Sequence, residues 1–408
     1  MTQSNDVIIV GAGLAGLACA RTLEKAGQRV QLLEASERIG GRLRTDRVDG
    51  FHLDQGFQVL LTSYPTAADL LDFAALNLGE FVPGARIYTD GSYQTIADPL
   101  RQPSQLFKTL TASVGTLSDK WKILSLRKAV QSPDVQHRLS TQTTREFLEQ
   151  SGFSSRLIQQ FFSPFYGGVF LEAALHTSAA VFAYTFDRFS KGLATLPHGG
   201  MASIPKQLGD QLHEDTVKLN TEVVRLDHNT VYTAHGGRFD AKHIVLATPF
   251  HVTNKLLGNP THRKWKSTTC LYFSAVHPPI TDPVLALNGS SHGAVNLVCV
   301  PSRVASGLAP KGQDLVCVSL RHPDPNVQPD RIVQELKTWF GESVSAWRHL
   351  KTYHIPQALP ASEPKDMAAT VQTSNSEGLY ICGDHVGMAT IEHALRTGVD
   401  TAHQILNH

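Results

Sequence analysis

The chain has 408 residues, more than one ordinary hydrophobic core holds, so two domains are expected. With 41% apolar and 18% charged residues it reads as globular and sparsely charged. A net charge of +1 without a basic block excludes nucleic acid as the main partner, because phosphate binding needs clustered Lys and Arg.

The polar start MTQSNDV leads straight into an apolar strand and does not read as a signal peptide, and no apolar run of about 18 residues could span a membrane. The cysteines at 19, 270, 299, 317 and 382 form no C-x-x-C and no pairing pattern. Dispersed thiols fit a reducing compartment, so a cytoplasmic location is expected, and no metal site.

Val7 to Val10 is a short β-branched run that reads as a buried parallel strand. Gly11, Gly13 and Gly16 follow in G-x-G-x-x-G spacing and open a helix through Leu14, Ala15 and Leu17, with Gly27 at its C-terminal end. The segment RVQLLEA reads as a second strand ending at Glu34 and Ala35. Gly11 permits the tight turn, Gly13 lets backbone approach a pyrophosphate, and Gly16 lets helix and strand pack closely. The helix N-terminus attracts phosphate, and Glu34 favours an unphosphorylated ribose, hence FAD or NAD.

The stretch EASERIGGRLRTD continues without a break, with Gly40 and Gly41 able to bring backbone close to a ligand and Arg42 able to neutralise phosphate. It resembles the superfamily of flavin amine oxidases, protoporphyrinogen oxidases and carotenoid (phytoene) desaturases, where a Gly-Gly-Arg turn lies under the FAD pyrophosphate. FHLDQGFQVL resembles the next block of that superfamily, which implies that Gly56 backs onto the isoalloxazine with Gln55 and Phe57 beside it.

Between 101 and 131, Leu106, Phe107, Leu110, Val114 and Leu117 recur at helical spacing. Trp121, Ile123, Leu124 and Leu126 follow beside Lys120, Lys122, Arg127 and Lys128. A basic amphipathic helix with Trp can lie on an anionic membrane, and it can equally cover the substrate domain's own core. Next comes an aromatic cluster, Phe161, Phe162, Phe165, Tyr166, Phe170, Phe182, Tyr184 and Phe186, which suits a flat or long apolar substrate or an ordinary core. With KGLATLPHGGM it resembles blocks of protoporphyrinogen oxidases and isoprenoid desaturases.

Residues 221 to 250 read as strand, hairpin and strand, bending at His235-Gly236-Gly237. The resemblance implies that Val223 or Val224 holds the adenine by its backbone. Many amine oxidases carry a lysine near flavin N5. By alignment that place is Thr268, with Lys264 and Lys266 out of register, and Thr390 stands where an aromatic cage residue would be. Both departures weaken the amine oxidase reading. At the far end, an apolar strand from Leu379 to Cys382, Gly383-Asp384 and an amphipathic helix from about Ile391 match the second flavin signature. This implies Asp384 on the ribitol, and the backbone of Thr390, Ile391 and Glu392 at the ring edge.

The expected fold is α/β: a Rossmann-like FAD-binding domain of 1–60, 200–260 and 370–408, interleaved with an α+β substrate domain of 61–199 and 261–369. With no second dinucleotide motif, oxygen, a quinone or another diffusible oxidant is the expected acceptor. The resemblance implies hydride transfer from a hydrophobic substrate to flavin N5, an isoprenoid or carotenoid-like polyene first and a tetrapyrrole second. An amine or amino-acid oxidase, a redox-neutral flavin-dependent isomerase and a non-catalytic flavin-binding protein are the alternatives. His385 is the first candidate for proton transfer, with His198 and His393 behind it, because imidazole accepts protons near neutral pH.

Overall fold

Val7 to Val10 is continuously apolar because it is covered on both faces and flanked on both edges. In the computed structural model, which describes residues 5–89, 91–97, 101, 113–131, 138–259, 263–290, 292–368, 373–374 and 378–407, the strand Asn5–Val10 is central. It pairs in parallel with Val30–Leu33 and with Arg238–Leu246. Leu379–Ile381 adds in parallel to Arg238–Leu246, so both ends of the chain enter one seven-stranded sheet. Two turns join Val223–Asp227, Thr230–Thr233 and Arg238–Leu246. The predicted bend holds Gly236, and a second turn that the pattern did not reveal has His228 at a positive φ of 47°.

The first helix, Leu14–Lys25, has Gly13 as N-cap. It packs against the last helix, Ile391–Leu406, closely enough that a Cβ on Gly398 would lie 2.2 Å from the Ala15 carbonyl oxygen. The Gly383 amide donates to the Thr397 hydroxyl (3.0 Å), which ties that helix to the strand end before it.

A second seven-stranded sheet runs in the order Arg348–Pro360, Trp265–Ala275, Asp314–Leu320, Val295–Cys299, Leu285–Asn288, Gly84–Thr89 and Ser92–Ala97. Only the pairing of Leu285–Asn288 with Gly84–Thr89 is parallel. Cys270, Cys299 and Cys317, scattered in sequence, converge on this sheet as buried free thiols. A small antiparallel sheet joins Leu60–Leu61, Ala194–Pro197 and Leu78–Glu80. Helices Leu117–Ala129, Ser163–Phe170 and Ala179–Lys191 wall one side of the space between the sheets. Among the described residues no helix is long and apolar enough to cross a membrane.

Candidate active site

A cavity of about 1020 Å³ runs from the glycine-rich turns to the aromatic helices. Gly11, Gly13, Leu14, Ala15, Glu34, Gly40, Gly41, Arg42, Gly56, Phe57, Gly383, Asp384, His385, Thr390 and Ile391 all line it. Gly16, Ala35 and Val223, assigned to the cofactor in the sequence, do not. Gly16 lies behind the turn, where a Cβ would stand 2.0 Å from the Gly11 carbonyl oxygen, so its part is close packing. Ala35 is exposed, and Val223 is buried in a cluster with Ile8, Val10 and Leu33.

Glu34 is held at the strand end by two loops. One carboxylate oxygen accepts from the Ala12 amide (2.8 Å), and the other from the Ser36 amide (2.9 Å) and hydroxyl (2.7 Å). Gly11, at φ 104°, could not carry a side chain, because its Cβ would meet the Ala247 carbonyl oxygen at 2.9 Å. Gly13 faces open space, and Gly41 comes up against it. Two glycine turns, one from each motif, thus form a side-chain-free cradle at the start of the first helix.

Asp384 is buried and forms a 2.7 Å ion pair with Arg42, whose guanidinium also donates to the Ala358 carbonyl. Burial opposes ionisation of Asp384, yet the charge and hydrogen bond of Arg42, with Arg263 beyond, hold its carboxyl below the ordinary value. His385 next to it is 2% exposed, and burial pushes its imidazole down to about 4, so it is neutral. Its Nε2 is buried with no hydrogen-bond partner, and its carbonyl accepts from Arg263 (2.7 Å). His198 and His393 do not line the cavity. His393 Nδ1 bonds the Thr390 hydroxyl at 2.9 Å, and that hydroxyl caps the last helix. Glu392, buried beside them, accepts from the Thr66 and Ala67 amides and so caps a different helix, Pro65–Leu70.

Gly56 has φ 89°. Thr268 and Ile355 pack beside Gly56 on the cavity wall. The pairing with Arg348–Pro360 shifts register between Lys266 and Thr268, and Lys266 pairs with Glu363 (3.3 Å). The aromatic cluster divides. Phe161, Phe165, Tyr166 and Phe186 line the cavity, whereas Phe162, Phe170 and Phe182 belong to a buried core. A π-helical turn, Ile158–Phe162, precedes the Pro164-containing helix, and the rings of Phe161 and Phe165 stack at 5.7 Å.

The family described as flavin containing amine oxidoreductase matches residues 14–406, almost the whole length. The chain belongs to this family. Its cofactor is FAD. The L-amino acid oxidase Cdc18 of Crotalus durissus cumanensis is 26% identical over 245 residues, 56% of this chain and 48% of that protein. The chain thus spans about half the length of the curated relatives it matches. Putrescine oxidase bound to putrescine shares the fold, with a TM-score of 0.74 at 18% identity and 99% of each chain covered. A protein from Exiguobacterium sp. 255-15, provisionally described as a protoporphyrinogen oxidase, superposes with a TM-score of 0.73 at 18% identity over 100% of both chains.

The residues at the glycine-rich end fit a dinucleotide. The cradle would be filled by any Cβ, the Glu34 carboxylate is oriented before a ligand arrives, and His385 Nε2 offers a buried polar atom without a partner. Reading the sequence missed four supports of this end: Ser36, Arg44, Arg263 and Gly398. Arg44 bonds the Gly41 carbonyl (2.8 Å) and the Ser36 hydroxyl. A signal for Ser36 was available, because a short hydroxyl residue two positions after an acid commonly closes a turn. For Arg263, which reaches across the fold to His385, there was none.

Proposed function

We propose that the protein oxidises a hydrophobic substrate, a polyene of isoprenoid or carotenoid type first and a tetrapyrrole second. FAD, when bound, supplies the hydride acceptor, and oxygen or a quinone then regenerates it. One observation carries this reading: the glycine-rich end opens without interruption into a chamber walled by Phe161, Phe165, Tyr166, Phe186 and Phe189. Such walls favour planar or extended apolar molecules. Thr268 at the place of the amine oxidase lysine supports it further.

In this reading Gly11, Gly13, Leu14 and Ala15 hold the pyrophosphate at the first helix, Gly40, Gly41 and Arg42 lie beneath it, and Glu34 holds the ribose with Ala35 beside it. Val223 lies by the adenine. Gly383 and Asp384 hold the ribitol, Gly56 and Phe57 back the ring, and the N–H groups of Thr390 and Ile391 stabilise charge at its edge. His385, neutral and adjacent to Asp384, is the group able to accept a proton. The division into 1–60, 200–260 and 370–408 against 61–199 and 261–369 is supported by strand membership of the two large sheets. A peripheral membrane contact through 101–131 would serve a lipid-dissolved substrate. Residues 102–112 lie outside the described ones, and Trp121, 73% exposed, is the feature in favour.

The test is anaerobic bleaching of the bound flavin by polyene, tetrapyrrole and amine pools. Bleaching by polyenes or tetrapyrroles alone is expected. Bleaching by amines alone, with peroxide formed in air, would replace this reading with the second one, an amine or amino-acid oxidase, which the L-amino-acid oxidase relatives favour.

A further inference from the structure

The helix Ser163–Phe170 and the π-helical turn before it set two rows of side chains at a spacing of four. Phe161 and Phe165 form one row, which Val169 continues along the cavity wall. Phe162, Tyr166 and Phe170 form the other, which packs into the core around Phe182. The Tyr166 ring lies 5.1 Å from Phe165, 5.4 Å from Phe170 and 4.7 Å from Phe182 between centroids. A phenylalanine would make all of these contacts, so the hydroxyl is what tyrosine adds. Tyr166 is 2% exposed, and unlike Phe162 and Phe170 it lies on the cavity wall. Its hydroxyl has no hydrogen-bond partner among the described residues, and burial alone pushes its ionisation well above the ordinary value. It is therefore a neutral donor. Nor is the oxygen sealed into the packing, as His52 Nδ1 and Trp347 Nε1 are. The Thr185 and Ser190 hydroxyls on the same wall are, by contrast, used internally, by the carbonyls of Val181 (2.9 Å) and Asp187 (2.8 Å). Tyr64, another phenol on the wall, differs in having Tyr184, Glu392 and Arg188 nearby.

We propose that Tyr166 determines specificity by donating a hydrogen bond to a carbonyl oxygen of the substrate, so that the chamber takes an apolar conjugated molecule bearing a keto or aldehyde group rather than a pure hydrocarbon. This rests on the reading of the chamber as the substrate site and deepens it. A hydroxyl among phenylalanine rings has lost the hydrogen bonds that water gave it. A carbonyl oxygen restores one, and the rings of Phe161 and Phe165 hold the flat conjugated body. A site of this kind discriminates against the analogue without the oxygen, because binding that analogue leaves the phenol unpaired in a dry pocket. With its proton retained, Tyr166 positions the substrate and does not act as a base.

The test uses the FAD-loaded full chain and two probes of equal length, a conjugated tetraene ketone and the hydrocarbon in which a methylene group replaces the ketone oxygen. Fluorescence titration gives their affinities, and isotope-edited infrared difference spectra give the carbonyl stretch of the bound ketone. In the unmodified protein that stretch is expected below its position in hexane. Tyr166→Phe keeps the ring. It should weaken the ketone by about three- to tenfold, the range of one neutral hydrogen bond, leave the hydrocarbon and the flavin content unchanged, and return the stretch to the hexane position. Equal weakening of both probes overturns the proposal, as does a ketone affinity that the substitution does not move. Should the variant fail to fold, incorporation of difluorotyrosine at position 166 keeps the shape and strengthens the donor. The stretch should then fall further, and an unmoved stretch overturns the proposal. If neither probe binds, the chamber is not the substrate site, and the proposed function falls together with this inference. If the ketone binds with an unshifted stretch, only this inference falls. Because binding needs no turnover, failure of polyenes to bleach the flavin would sink the proposed function while the stretch still reports on Tyr166.

Discussion

Arg42 and Asp384, separated by 342 positions in sequence, meet as a 2.7 Å ion pair on the cavity wall. The pair fastens the Gly-Gly-Arg turn near the start of the chain to the Gly-Asp turn near its end. Because Asp384 is buried, removing it would leave Arg42 without its charge partner.

Asp384→Ala is therefore expected to weaken FAD retention by roughly ten- to a hundredfold, about 1.5–3 kcal/mol for a charged hydrogen bond. Fluorescence titration of the apoprotein measures it. Full flavin occupancy after desalting, with an unshifted redox potential, would remove Asp384 from the cofactor site.

Glu34→Ala takes away the acceptor for the Ala12 amide as well as the proposed ribose partner. Flavin content should fall, with an affinity loss of about tenfold or more. Glu34→Gln keeps an acceptor and should lose less. If both variants emerge from desalting as yellow as the parent, the ribose role is wrong.

Buried groups predict how stability depends on pH. His385 titrates near 4 in the fold against an ordinary 6.5, so its neutral form contributes fully above pH 6.5 and the contribution is lost as pH falls through 4. The shift corresponds to about 3 kcal/mol. His393, pushed to about 3 by burial, acts in the same direction. His385→Phe should flatten the acid-side decline in melting temperature of the apoprotein, and an unchanged slope would show that the imidazole is wet or ionised. Asp54 works oppositely. Burial raises it to about 6 despite bonds from Thr45 and Met201, so its favourable contribution is complete below 3.8 and fades as pH rises through 6. Asp54→Asn should remove that fall and leave the acid side alone.

Gly398→Ala places a methyl group about where the Ala15 carbonyl already is. Overpacking of this kind costs about 1–3 kcal/mol. A lower urea midpoint is expected, together with looser flavin, because the first and last helices must part. A midpoint equal to the parent's would mean that the two helices separate freely.

The dinucleotide end was legible from residues alone because its requirements are local. A turn at φ 104° needs Gly11, close packing needs Gly16, and an acid at the end of the next strand needs only correct spacing. For Gly40, Gly41, Asp384 and the start of the last helix the pointer was the resemblance to flavin amine oxidases and desaturases. It was weaker in the middle of the chain. Periodicity could not divide the aromatic cluster into cavity wall and core, since neighbouring rings such as Phe161 and Phe162 take opposite parts in a π-helical turn. Nor could it show that Arg127, counted with the basic face of its helix, turns inward to the Ser190 carbonyl.

By itself the sequence determined a dinucleotide-binding α/β chain, because glycine conformations and strand–turn–helix spacing are properties of short segments, and its resemblance to flavin amine oxidases implied FAD and two chain ends in one domain. Only the tertiary structure decided what lines the far end of the cavity. The end of a remote helix, Ala179–Lys191, holds Arg101 and Arg127 on the cavity wall. Side-chain direction at such places is set by partners far away in the chain, and no local pattern encodes it.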